Sequence, residues 1–150
     1  MVMLRWIVAT LHLLALPLGL GAVWMRARAL RGPLDAPGLK RVFATDTAWG
    51  VAALIWLSTG LWRAFGGLEK GSMYYLANPF FHAKIGLFAL VLLLELWPMV
   101  TLIRWRIQMA RGQTPDTTAA RVFARISYTE AGLVVLMVFW ATAMARGMGI

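Results

Sequence analysis

Cysteine is absent from this chain of 150 residues, which removes disulfides, iron-sulfur clusters, thiolate metal sites and the C-x-x-C-H haem attachment in one step. Any cofactor must be held non-covalently, through nitrogen or oxygen. Charge is scarce as well: 14% of the residues are charged against 61% hydrophobic, and only six are acidic. Soluble domains carry roughly a quarter charged residues, so an ordinary water-soluble globule is excluded. With a mean hydropathy of +0.71 the chain reads as an integral membrane protein.

A hydrocarbon core about 30 Å thick needs about 20 apolar residues of helix. Four windows approach that length, spanning 4–24, 46–62, 80–103 and 126–143. They predict an all-α integral membrane fold, an antiparallel four-transmembrane-helix bundle forming one domain over 1–150. Pro33, Pro37 and Gly38 break the first connection, and Gly112, Pro115 and Asp116 the last. The first window is about twice the length of a usual signal-peptide core, and Arg26, Arg28 and Arg31 follow it, so it reads as an uncleaved span.

A net charge of +9 and a pI near 11.4 would point to nucleic acid in a soluble protein. Here the distribution of the charges gives another reason for them. Arg26, Arg28, Arg31, Lys40 and Arg41 fall between the first two spans, and Arg104, Arg106, Arg111, Arg121 and Arg125 between the last two. The other side holds Arg5, Arg63, Lys70 and Arg146. By the positive-inside rule both basic connections are cytoplasmic and both termini periplasmic. Membrane lipid is then the expected partner and nucleic acid is not; a lipid-facing stripe would also allow a homodimer. Most tryptophans lie near span ends, where amphipathic rings anchor at the headgroups.

Ionisable residues inside spans are costly and mark functional candidates. On the first span Arg5, Val8, His12, Ala15, Gly19, Ala22 and Arg26 recur at spacings of three and four and share one face. Its small residues admit a neighbouring helix, so His12 is expected to point inward. On the third span Lys84 and Glu95 are eleven residues apart and share a face, with Lys84 at a depth like that of His12. Lys84 either joins His12 or snorkels to the headgroups. His82, two residues away and about 200° around the helix, serves as a reserve ligand. Asp46, Glu95 and Glu130 lie toward the basic end, within expected reach of Arg41, Arg104, Arg121 or Arg125, as an ion-pair layer or a relay. Zinc wants a fuller His, carboxylate or thiolate set. Haem needs one or two axial nitrogens, an apolar slot and cations for its propionates, and Arg5, Arg63 and Lys70 lie on the side where propionates would emerge.

Thr10-Leu11-His12-Leu13-Leu14-Ala15, Gly60-Leu61-Trp62 and Phe81-His82-Ala83-Lys84-Ile85 resemble motifs of the HemJ-type protoporphyrinogen oxidases and their CopD-like relatives. Over nearly its whole length the chain is similar to an uncharacterised bacterial family of four-helix inner-membrane proteins in that group. The stretches carrying this likeness are Gly67-Leu68-Glu69-Lys70-Gly71, Tyr74-Tyr75 and Trp97-Pro98-Met99-Val100-Thr101-Leu102. The resemblance implies a bacterial inner membrane, haem b, and essential roles for the first-span His and third-span Lys, here His12 and Lys84. It departs at Gly21-Ala22-Val23-Trp24-Met25-Arg26, where HemJ proteins carry an aromatic, proline-containing stretch.

The expectation is a haem b-binding protein with His12 on the iron. Lys84 would be the second ligand or the group that meets substrate or propionate charge. As an enzyme it would oxidise a porphyrinogen-like or quinol-like molecule, passing electrons to a membrane quinone and protons to Lys84 and Glu95. The alternatives are a non-catalytic haem or electron-carrier module bound to a partner, and a structural or copper-associated protein. Nine scattered methionines without a cluster put copper last.

Overall fold

The computed structural model describes residues 1–149 and shows helices α1 (Val2–Arg31), α2 (Ala36–Phe65), α3 (Ser72–Ala77), α4 (Pro79–Ala110) and α5 (Ala120–Ala145). All but α3 are long and apolar enough to cross a membrane, and no strand occurs among the described residues. At 1.5 Å per residue, α1 and α2 are each about 45 Å long, more than a bilayer core requires. The apolar windows at 4–24 and 46–62 therefore understate these helices, whose polar turns project past the hydrocarbon.

The four long helices form an antiparallel bundle in which α1 packs on α2 and α5, and α5 on α4. Between α2 and α4 the backbones stand farther apart, and side chains bridge the gap: Trp56 meets Phe88, Trp49 reaches Glu95, and Arg106 reaches Asp46. This wider seam is what leaves room for a site. The basic connections lie together at one end, called here the basic end. Both termini and α3 lie at the other, the terminal end.

Helix starts follow from capping chemistry. Asp35 caps α2 by accepting from the Gly38 N–H at 2.9 Å, with Pro37 in the first turn, and Asn78 caps α4 by accepting from the Phe80 N–H at 2.9 Å, ahead of Pro79. In the last connection Asp116 accepts from both the backbone and hydroxyl of Thr118, which holds its carboxyl below the usual range. At Gly38 a Cβ would lie 1.8 Å from the Pro33 carbonyl oxygen, which is backbone and cannot swing aside. Gly38→Ala should therefore pry the α1–α2 turn apart and lower stability by about 1–3 kcal/mol, read as a fall in melting temperature in detergent; an unchanged melt would refute this packing.

Three apolar clusters fill the bundle interior. Leu30, Val42, Leu102, Trp105 and Phe123 occupy the basic end, Val23, Trp49, Val91, Val134 and Met137 the middle, and Ala64, Tyr75 and Phe81 the terminal end. Leu54, Leu93 and Phe139 are exposed, as lipid-facing residues must be.

Candidate functional site

A cavity of about 450 Å³ opens in the bundle near the terminal end, within the usual range of small-molecule and cofactor sites, about 300–1,000 Å³. His12 of α1, Trp56 and Gly60 of α2, Lys84 of α4 and Met137 of α5 form its inner part. Arg63, Lys70 and Tyr74 stand at its mouth. Apolar atoms make most of the wall, with polar groups at a few fixed points.

His12 is buried and held by both ring nitrogens. Trp56 Nε1 donates to His12 Nε2 at 3.1 Å, and His12 Nδ1 lies 2.9 Å from Thr59 Oγ1. An indole N–H can only donate, so Nε2 accepts and the ring proton sits on Nδ1. Nδ1 then donates to Thr59, whose own hydroxyl passes on to the Ile55 carbonyl at 2.5 Å. Gly60 supplies the space: a Cβ there would lie 3.2 Å from His12 Cε1. The imidazole is thus oriented by α2, with its basic lone pair taken up by the Trp56 N–H.

Lys84 shares this wall, and among the described residues its amine has no hydrogen-bond or ion-pair partner. Lys84 is half-buried, and drawing an amine away from water without a partner is unfavourable, which makes it the most conspicuous group in the cavity. The mouth is better compensated. Arg63 pairs with Glu69, its Nη2 2.9 Å from Oε1, and Lys70 donates to the Tyr74 hydroxyl at 3.1 Å, which donates in turn to the Met144 carbonyl. Burial pushes the Tyr75 phenol up, so this ring lines the mouth uncharged.

Other sequence candidates lie elsewhere. His82 is exposed and its Nε2 is bonded to the Leu76 carbonyl at 2.7 Å, because the 200° offset from Lys84 turns it out of the cavity. Arg5 is exposed and reaches Gly67 O at 3.5 Å rather than the cavity. Glu95 lies about 16 Å along α4 from Lys84, beyond the middle apolar cluster and within a separate ionic layer.

That layer is organised by Arg26, a residue counted above among the basic charges between spans. Arg26 is wholly buried and spends all five N–H groups: Nε on Ser127 at 3.0 Å, Nη1 on Asp46 at 2.8 Å and Glu95 at 2.7 Å, and Nη2 on Glu95 and Glu130 at 2.8 Å each. Arg106 completes it, 2.9 Å from Asp46 Oδ2. The expected partners Arg41, Arg104, Arg121 and Arg125 make no ion pair among the described residues. A signal for Arg26 was present, since it ends the stripe of small residues that carries His12. Trp56 and Thr59 had no such signal.

A family model described as "Predicted membrane protein (DUF2214)" matches residues 4–149. The chain belongs to this family of predicted membrane proteins. The match takes in all four long helices, so the cavity and the Arg26 layer both fall inside the family's extent. Neither curated proteins nor solved structures yield a match.

Proposed function

We propose that this membrane protein binds a tetrapyrrole in the cavity, with haem b as the resident group. The observation that carries the reading is the presence of a buried imidazole and an unpartnered amine on the wall of one apolar chamber whose mouth is basic. The donor set fits haem: His12 Nε2 would hold the iron once Trp56 released it, and Lys84 would offer a second nitrogen or a cation. Arg63 and Lys70 suit propionates at the mouth. Haem, when bound, supplies one-electron chemistry within an apolar slot.

The chain's own residues set the rest. Thr59 fixes the imidazole tautomer, Trp56 and Phe88 exclude water, and Lys84 is the proton acceptor inside the chamber. Glu95 cannot share that task across the intervening apolar cluster. In its HemJ-like form the protein would oxidise a porphyrinogen and pass electrons to a membrane quinone; in its other form it would carry electrons for a partner without turnover. The motif likeness at His12 and Lys84 supports the first.

A second reading follows from the Trp56–His12 bond itself. With Nε2 already accepting, the chamber suits an iron-free amphipathic acid such as a porphyrin, its carboxylate on Lys84 and no bond to His12. Detergent-purified protein should be titrated with hemin and with protoporphyrin IX, beside His12→Ala and Lys84→Ala. Haem bands that shift on binding and are lost in His12→Ala support iron ligation. Equal binding of both compounds, unaffected by His12→Ala, supports the second reading. Protein that takes up neither compound removes both. A haem spectrum responding to reductant without porphyrinogen oxidation would select the carrier over the enzyme.

A further inference from the structure

The Arg26 layer has one carboxylate more than its cations match. Glu130 is faced by Arg26 from α1, Asp46 from α2 and Glu95 from α4, with Arg106 of α4 beyond Asp46. Ser127, on Glu130's own helix, takes the remaining Arg26 N–H. Three carboxylates thus share two guanidiniums. Arg106 is matched by Asp46, and the bidentate fork of Arg26 by Glu95. Glu130 receives one N–H on Oε2 and nothing on Oε1, which has no partner among the described residues although the side chain is 0% exposed.

An ionised carboxylate with a bare oxygen and no counter-charge of its own is the costliest state for such a place. The neutral acid is far cheaper. A second fact points the same way: Glu95 Oε2 and Glu130 Oε2 both lie 2.8 Å from the same nitrogen, Arg26 Nη2, so the two carboxyl groups crowd one donor. Two ionised carboxylates so placed repel each other, and a proton on one of them relieves that repulsion.

We propose that Glu130, with Glu95 as its partner, is a proton-binding site inside the membrane that holds one exchangeable proton at neutral pH. The proton is taken from hydronium, leaving water, and returns to water when the carboxyl ionises; no electron moves. Exchange runs through the basic end, where Asp46 and Arg106 are 13% and 34% exposed and connect the layer to the helix ends. Toward the cavity, Val23, Val91, Val134 and Met137 close the path. The proposal is independent of what the cavity binds, so colourless protein would leave it standing.

Infrared spectroscopy of the full chain at about pH 8, far above the ordinary carboxylate range near about 4, provides the test. The expected result is a carboxylic-acid C=O band that moves to lower frequency in D₂O and vanishes in Glu130→Gln, which equalises acids and bases in the layer. Glu69→Gln, altering only the exposed Arg63 pair, should leave the band in place. Should Glu130→Gln fail to fold, Glu95→Gln restores the same balance and must also abolish the band. No acid band in the parent, a band that does not respond to D₂O, or one that persists in both glutamine variants would overturn the assignment.

Discussion

Arg26→Met should be the most damaging single substitution in the chain, abolishing monodisperse protein or lowering its melting temperature steeply. It would strip Asp46, Glu95, Glu130 and Ser127 of five hydrogen bonds at once. Three acids would remain around a single guanidinium, Arg106, which pairs with only one of them, Asp46. Removing one partner from a buried ion pair costs about 3–5 kcal/mol, and here the partner is shared. Arg26→Lys should recover little, because three rotatable donors cannot reproduce a five-donor planar fork. By contrast, the combined variant Arg26→Met, Glu95→Met and Glu130→Met should regain much of the loss. It removes Arg26 together with two of its acids and leaves Asp46 paired with Arg106, and buried ionic groups replaced by packed apolar ones often break even. A single Arg26→Met variant within about 1 kcal/mol of the parent, an exposed-pair effect, would show that the layer does not hold the bundle together.

The four-helix bundle was legible in the sequence because lipid leaves a direct mark on composition: every backbone bond must close within a segment, so spans appear as apolar runs. Their ends were not legible, since α1 continues through Arg26, Arg28 and Arg31 and α4 through Arg104 and Arg106, where hydropathy falls while the helix continues. The same fall placed Arg26 with the loop charges. Only the register between helices shows that it sits opposite Asp46, Glu95 and Glu130, and register is a property of pairs of helices rather than of any one segment. The short α3 helix escaped for a related reason, being six residues tied down by neighbours such as Met144 rather than by its own periodicity. For the cavity, the small-residue stripe around His12 and the shared depth of Lys84 could be read from spacing, because a period of 3.6 fixes which side chains line up. The partners that hold His12 belong to α2 at positions without a distinctive motif, and Trp56 looked like any other membrane tryptophan.

These two polar sites sit at different levels of one bundle with an apolar cluster between them, and they differ in kind. The Arg26 layer is almost fully satisfied within the chain, so its role in holding four helices together needs no ligand. The cavity is not satisfied, and Lys84 is where the difference is sharpest. Lys84→Met should therefore move two measurements in opposite directions. Stability should rise or hold, because the variant replaces an unpartnered, half-buried amine by an apolar side chain of similar length. Affinity for an acidic tetrapyrrole should fall, because a hydrogen bond to a charged group is worth about 1.5–3 kcal/mol, which corresponds to about 10- to 150-fold in the dissociation constant. Arg63→Met gives the contrast: Arg63 already pairs with Glu69 at the partly exposed mouth, so its loss should cost about 1 kcal/mol or less. Thermal melts and hemin titrations of the two variants test the argument together. If Lys84 only snorkels toward headgroups, Lys84→Met will bind as the parent does. If it is structural, the variant will melt lower. Only a ligand-binding lysine yields a protein that is at least as stable and binds more weakly.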